Sequence, residues 1–288
     1  MGVAVVSDTT GYLPREVVEA NRIHLVSLYV VFGGERTERE DSITDYAAFF
    51  EELRSVEQLP TTSQPSVGDF IGVYEPLLTA GDDVVSVHIS GGLSGTHGAA
   101  RQAAEQLERD GKGGERVHVV DSATAAGGLG LMALVAARAA NGGAGVGEVL
   151  DRVAAAREAL KMWFAIDTLE FLKRSGRIGA ASAWLGSTLR IKPILTVESE
   201  MSPIERVRTS KRAFERMVDY ARQRCESGAD GWVVQHIQAP DQAAALADRC
   251  REIYGHDAVF TSEIGPVLAA HTGPGLLGVG GIPLSLLG

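Results

Sequence analysis

Short runs of β-branched residues alternate with alanine-rich or amphipathic stretches through the first half of the chain. Val3–Val6, Val84–Ile89 and Val117–Val120 each lead into a polar or glycine-rich turn and then a helical pattern, the order that βαβ units require. Helices are predicted near Ala99–Arg109 and Ala125–Ala140, where alanine combines helix propensity with small size. Leu25–Phe32 reads as one strand, running through Gly33-Gly34-Glu35-Arg36-Thr37 into a hairpin turn and an arm off the sheet.

From about Trp163 the pattern changes. Phe164–Asp167, Ile194–Glu198, Ile204–Val207 and Trp232–His236 read as strands, Lys211–Ser227 and Asp241–Tyr254 as helices. The expected fold is α/β in two domains. Residues 1–160 form an N-terminal doubly wound, mostly parallel sheet, and residues 161–288 a C-terminal α/β domain with a mixed or antiparallel sheet. A helix over Gly147–Leu160 carries the boundary, since no proline- or serine-rich linker marks one.

Composition narrows the function classes. Of 288 residues, 45% are hydrophobic and 22% charged, which fits a folded chain. A net charge of −10 repels phosphate backbones, so nucleic acid is not an expected partner. The two cysteines, Cys225 and Cys250, make neither a disulfide framework nor a C-x-x-C pair, which suits a reducing compartment. The opening residues read as a buried strand, not a signal peptide, and the best apolar stretch, Leu129–Ala137, is far short of the roughly 20 residues of a membrane span. A cytoplasmic location is expected. No metal-ligand spacing and no P-loop occur, so neither metal nor cofactor is expected. Gly273–Gly278 matches G-x-G-x-x-G, but Pro274 interrupts it and ten residues leave no room for a βαβ unit.

In a parallel sheet, ligands gather beyond the carboxyl ends of the strands. Ser7–Gly11, Ser90–Thr96 and Asp121–Thr124 follow strands there, and Thr61–Ser66 precedes a helix near Phe70; all four are hydroxyl-rich and expected to converge. N-capping accounts for some of these hydroxyls. Their concentration suits a cradle for one anionic group, a carboxylate or phosphate. His271 is read as part of a glycine-proline loop beside such a ligand, whereas His88, His118 and His236 lie in strand patterns with packing or surface roles. Ser94, His271 and Asp121 leave a hydrolase triad open as an alternative. Three basic segments, Lys173–Arg177, Arg190–Lys192 and Arg206–Arg212, are either a solvated face or a dock for an acidic partner.

Several segments together resemble the DegV family of fatty-acid-binding proteins, the lipid-carrying subunits of bacterial fatty acid kinase. They are Val6-Ser7-Asp8-Thr9, Thr61-Thr62-Ser63-Gln64-Pro65, Leu93-Ser94-Gly95-Thr96, Val120-Asp121-Ser122, Phe171 through Ile178, Ile191-Lys192-Pro193-Ile194 and Ile264 through Gly275. The resemblance implies a non-catalytic protein that holds one fatty acid in a tunnel between two domains, its carboxylate near the surface. Thr62 and Ser94 would hold the head group with His271 nearby and no arginine paired to it, while Ser63, Gly95 and Thr96 shape the pocket. A partner kinase would use ATP to convert the carboxylate to an acyl phosphate for phospholipid synthesis, with Arg177, Arg206 and Arg208 facing that partner and transient contact with a membrane surface. Family members usually have Gly-Gly-Arg where Ser175-Gly176-Arg177 stands, and Tyr or a similar residue at His97. Ala183–Leu189 or Ile264–Leu268 would line the tunnel. A Ser/His acyl-ester hydrolase, or a module that sequesters lipid without a kinase, remains the alternative.

Overall fold

The computed structural model describes residues 2–33, 36–55, 58–185 and 191–288. Strand β1 (Val3–Asp8) crosses through a helix over Arg15–Ala20 to the parallel strand β2 (Ile23–Val26). The chain then leaves this layer. β3 (Tyr29–Phe32), β4 (Arg36–Arg39) and β5 (Thr61–Ser63) form a separate antiparallel sheet in the order β4-β3-β5. β6 (Asp83–His88) and β7 (Val117–Asp121) rejoin the first sheet on the other side of β1, completing the parallel order β2-β1-β6-β7.

The single strand expected over Leu25–Phe32 is therefore two strands in two sheets. Ser27 and Leu28 are buried at the crossing, where the Ser27 hydroxyl donates to the Leu28 carbonyl (2.9 Å) and accepts from the Asp41 amide (3.2 Å). The apolar pattern continues while the hydrogen-bonding partner changes. Gly34 and Glu35 of the expected turn lie outside the described residues.

Both faces of the parallel sheet are covered, so its strands read as continuous apolar runs. Helices Val67–Thr79 and Thr96–Arg109 bury Phe70, Tyr74, Ala100 and Ala103 against Val6 and Val84. Helix Gly127–Asn141 covers the other face, buried without interruption from Gly127 to Ala137. It is apolar all round because it lies between two sheets, with Val5, Val85 and Val87 of the first and Val233, Phe260 and Ile282 from the second half in one cluster with it. Among the described residues, no helix is long and apolar enough to cross a membrane.

After helix Val146–Ala159 come the strands of the second sheet: β8 (Lys161–Ala165), β9 (Lys192–Glu198), β10 (Glu200–Val207), β11 (Gly231–His236), β12 (Phe260–Glu263) and β13 (Leu277–Ile282). Their order is β10-β9-β8-β13-β11-β12, antiparallel except for β11 and β12. The architecture is the α/β arrangement of one parallel and one mixed sheet that the hydrophobic pattern implies. β12 and β13 were not expected. β13, the last strand, inserts at the middle of the sheet: Leu277 and Val279 pack with Met217, Ala221 and Leu246 of helices Ser210–Glu226 and Pro240–Tyr254. Gly278 and Gly280 alternate with them, opposite Phe164 and Met162 of β8, so β13 itself puts no side chain on this side of the sheet at those two positions.

Candidate ligand-binding site

The strand order of the parallel sheet reverses between β1 and β6, which places a crevice beyond their carboxyl ends. A cavity lies on the β6 side of it, bounded by the loops after β6 and β7, the inner face of the second sheet and the helix Pro266–Thr272. Ile89 and Leu93 contribute to its wall from the first sheet, Phe164, Val197 and Leu276 from the second half, and Ile264, Val267 and Leu268 from the helix and its approach. Polar wall residues include Thr62, Gln64, Ser94, Arg177 and His271, with Gly95 among them, and also Thr124, Gln235 and Thr272. Gln64, Gly95 and Arg177 are solvent-exposed, which marks this side as the mouth.

Thr62 is half-buried on β5, held in register with Val30 of β3. Its hydroxyl is 2.7 Å from Nε2 of His271. His271 stands on the last turn of a short helix, not in the expected glycine-proline loop: Pro266 starts the helix, and Gly273, at φ 74°, ends it. Burial, with the charge of Arg177 added, pushes the imidazole down to about 4, so it is neutral at pH 7. Its Nδ1 is buried with no hydrogen-bond partner among the described residues.

The Ser94 hydroxyl lies 2.9 Å from that of Thr96 and accepts from the Thr96 amide at 3.3 Å, just ahead of helix Thr96–Arg109. Thr96 is wholly buried behind it. Gly95 allows a close approach, since a Cβ there would lie 2.8 Å from the Gln64 amide. Thr62, Ser94, Gly95 and His271 thus come together on the wall, with Thr96 supporting Ser94. Ser63 does not join them: it is exposed, and its hydroxyl donates to the Gln64 carbonyl (3.2 Å), because alternate side chains of β5 face opposite ways.

Other expectations are corrected. Ser7–Gly11 does not converge on this cavity but borders a second one, lined by Asp8, Tyr12, Glu40, Tyr46 and Glu263. Asp8 is turned inward, where its carboxylate accepts from the amides of Thr10 (3.1 Å) and Ile89 (3.0 Å) and pairs with His88 Nδ1 (3.0 Å). The triad does not form either. Ser94 pairs with Thr96 and His271 with Thr62, while Asp121 accepts from the amides of Gly91 (3.2 Å) and Ala123 (2.8 Å). A Ser86–His88–Asp8 chain does exist, at 2.6 and 3.0 Å, but all three are fully buried and Tyr74 closes off Ser86 (2.7 Å).

No local pattern marks Glu40, a carboxylate in a polar run that is nevertheless 3% exposed. It accepts from the Thr9 and Tyr12 hydroxyls and from the Val267 amide (2.9 Å), and the Tyr12 oxygen accepts from the Leu268 amide (3.1 Å). These two residues fasten the first turn of the helix that carries His271. Desolvation pushes the Glu40 carboxyl up to about 7, against the hydrogen bonds that favour its charged form.

Arg177, expected to face a partner, is on the cavity wall, its Nη1 donating to the Ser175 carbonyl (2.7 Å). An arginine thus stands at the exposed side of the cavity wall. Arg206 stands over the Trp184 ring at 5.3 Å, and Arg208 is exposed. Arg190 and residues 186–189 of the expected lining lie outside the described residues. Among the described residues, no group of three or more His, Cys, Asp and Glu is placed to hold a metal ion.

The chain matches the family model described as uncharacterised protein, DegV family, over residues 2–284. It belongs to the DegV family. A DegV domain-containing protein of Streptomyces coelicolor is 40% identical over 282 residues, covering 96% of this chain and 97% of its own. The crystal structure of Bacillus subtilis DegV, described as a fatty acid binding protein, superimposes with a TM-score of 0.86 at 33% identity, over 97% of this chain and 98% of its own. A Thermus thermophilus DegV family protein, described by its fatty acid binding, gives 0.87 at 35% identity, over 98% and 100%. This DegV-family chain therefore shares its overall fold with proteins of its own length.

Proposed function

We propose that this chain is a fatty-acid carrier. It holds one long-chain fatty acid with the carboxylate at the cavity mouth and presents that carboxylate to a partner kinase, which performs the chemistry. The observation that carries the reading is the cavity itself: a mostly apolar wall with the Thr62–His271 pair and the Ser94 hydroxyl at its mouth. The fatty acid binding described for the Thermus thermophilus and Bacillus subtilis relatives supports the same ligand class.

The energetics suit such a division of roles. Burying about 15 methylenes at about 0.8 kcal/mol each gives about 12 kcal/mol before ordering costs, so the tail dominates affinity. Hydrogen bonds to an ionised carboxylate contribute about 1.5–3 kcal/mol each and set its register. With His271 neutral and Nε2–H donating to Thr62, the Thr62 hydroxyl proton is free to donate to the carboxylate alongside Ser94. Gly95 and Thr96 shape this end, and Ser63 stays outside it. Arg177 adds positive charge at the mouth.

The exposed Arg206 and Arg208, on a chain of net charge −10, suit contact with an acidic partner surface. In the partner's site a carboxylate oxygen attacks the γ-phosphorus of ATP, a C–O–P linkage forms, and ADP leaves. Among the described residues no serine hydroxyl on the cavity wall is hydrogen-bonded to a histidine, Ser94 pairing with Thr96 and His271 with Thr62, which disfavours a serine hydrolase. The test is to combine the lipid-loaded chain, an ATP-dependent fatty acid kinase and ATP, and to trap product with hydroxylamine. Acyl hydroxamate that depends on both proteins is expected. Fatty acid left unchanged points to a sequestering module, and ester turnover by the chain alone to a hydrolase.

A further inference from the structure

The helix that carries His271, Pro266–Thr272, is seven residues long, too short to be stable by its own hydrogen bonds. Its N-cap, Gly265, offers no side chain to the first turn, and Pro266 has no N–H. The Ala269 amide already donates to the Gly265 carbonyl, so the amides of Val267 and Leu268 are the donors left over. Both are taken up by residues near the start of the chain. Val267 donates to Glu40 Oε1 (2.9 Å) and Leu268 to the Tyr12 oxygen (3.1 Å), 227 and 256 residues away in sequence. The Tyr12 hydroxyl donates in turn to the same Glu40 oxygen (2.6 Å), so the two side chains form one cap.

This cap is built to hold one position. Both side chains are buried, and Tyr12 keeps φ at 47°, a left-handed backbone that a tyrosine holds only under tertiary constraint. A Cβ on Gly265 would fall 2.8 Å from Tyr12 Cε1, so the helix starts directly against the ring. Glu40 Oε1 already receives two donors; a proton on this carboxyl therefore sits on Oε2, toward Thr9, and leaves the cap in place. His271 stands one turn beyond Val267 and lines the cavity with it. A shift of the first turn thus moves the imidazole, and its 2.7 Å bond to Thr62 weakens steeply with misalignment.

We infer that Tyr12 and Glu40 are positioning residues for the carboxylate end of the cavity: by fixing the first turn of this helix they set where His271 holds the Thr62 hydroxyl, and so how well a carboxylate is recognised there. The inference rests on the reading that the cavity holds a fatty acid with its carboxylate at the mouth. A role in stability alone leaves the folded protein's preference for a carboxylate unchanged. A positioning role weakens binding of the acid and spares a ligand with the same tail and no carboxylate.

The test is the ratio of affinities for tetradecanoic acid and tetradecanol, measured by displacement of a fluorescent fatty acid from the folded full chain stripped of lipid. Tyr12→Phe, which keeps the ring and removes the hydroxyl, lowers the acid-to-alcohol ratio about tenfold, the effect of one misaligned hydrogen bond to a charged group. Glu40→Leu lowers it likewise, whereas Glu40→Gln, which keeps the oxygen facing Val267 and Tyr12, brings it back to within about twofold of the wild type. A wild-type ratio in Tyr12→Phe or in Glu40→Leu overturns the inference. Should these variants not fold, hydrogen exchange of the wild-type chain decides. Coupling is reciprocal, so at saturation tetradecanoic acid slows exchange of the Val267 and Leu268 amides several-fold more than tetradecanol does; equal protection overturns the inference. A wild-type chain that binds neither ligand overturns the carrier reading itself, an outcome distinct from all of these.

Discussion

The Thr62 hydroxyl and the His271 imidazole, 209 residues apart in sequence, are joined at 2.7 Å. One is on the short third sheet and the other on the helix after β12, so the mouth of the cavity depends on both halves of the chain being in place. The imidazole is neutral and one ring nitrogen is without a partner. With its one N–H given to Thr62, the neutral ring acts on an anionic ligand through the Thr62 hydroxyl that it orients.

Thr62→Val keeps the β-branched shape on β5 but removes the hydroxyl, leaving His271 Nε2 unpaired. Fatty-acid affinity falls about tenfold or more, and Tm drops by about 2–4 °C for each kcal/mol lost. Ser94→Ala weakens acyl phosphate formation more than lipid retention. Fluorescent fatty-acid displacement and a kinase assay measure the two; equal losses in Ser94→Ala contradict the orienting role of that hydroxyl.

The His271 imidazole, held at about 4 against an ordinary 6.5, is protonated first in the unfolded chain. Its contribution to stability is complete above about pH 6.5 and is lost as pH falls toward 4. A bound carboxylate beside the ring raises its pKa, so lipid-loaded protein loses less Tm than lipid-free protein between pH 7 and 5. His271→Asn narrows that difference. Melting curves of both forms across this range check it.

Glu40 acts with the opposite sign. Its carboxyl is raised to about 7, so the folded state holds a proton that the unfolded chain has released, and stability falls as pH rises from about 4.5 through 7. Glu40→Gln removes this fall: its Tm exceeds that of the wild type at pH 8 and approaches it at pH 5. An unchanged pH slope would sink the assignment.

The bare strand β13 separates two kinds of glycine. A Cβ on Gly278 meets Phe164 Cβ at 3.3 Å, whereas one on Gly280 falls 2.3 Å from the Lys161 carbonyl oxygen. Gly278→Ala folds and narrows the cavity, lowering affinity for stearic acid more than for dodecanoic acid. Gly280→Ala forces the backbone apart and costs about 1–3 kcal/mol of stability. Chemical denaturation and chain-length binding series distinguish the two.

The parallel sheet was legible because its covered strands, Val3–Asp8 and Asp83–His88, carry continuous apolar runs that local pattern detects. β13 was not, since Leu277-Gly278-Val279-Gly280-Gly281 puts glycine where a strand would show alternating side chains, and glycine runs read as loops. Thr62, Ser94 and His271 stood out as hydroxyls and an imidazole beside turns. The short helix holding His271 did not, because its first turn is fastened by Tyr12 and Glu40 from the far end of the chain.

The central claim is tested most directly by native mass spectrometry of the full chain purified from bacterial cells. The account predicts one bound fatty acid per chain, released on denaturation and replaced one-for-one when excess fatty acid is added. A chain that flies at its bare mass and takes up no fatty acid on titration would contradict it.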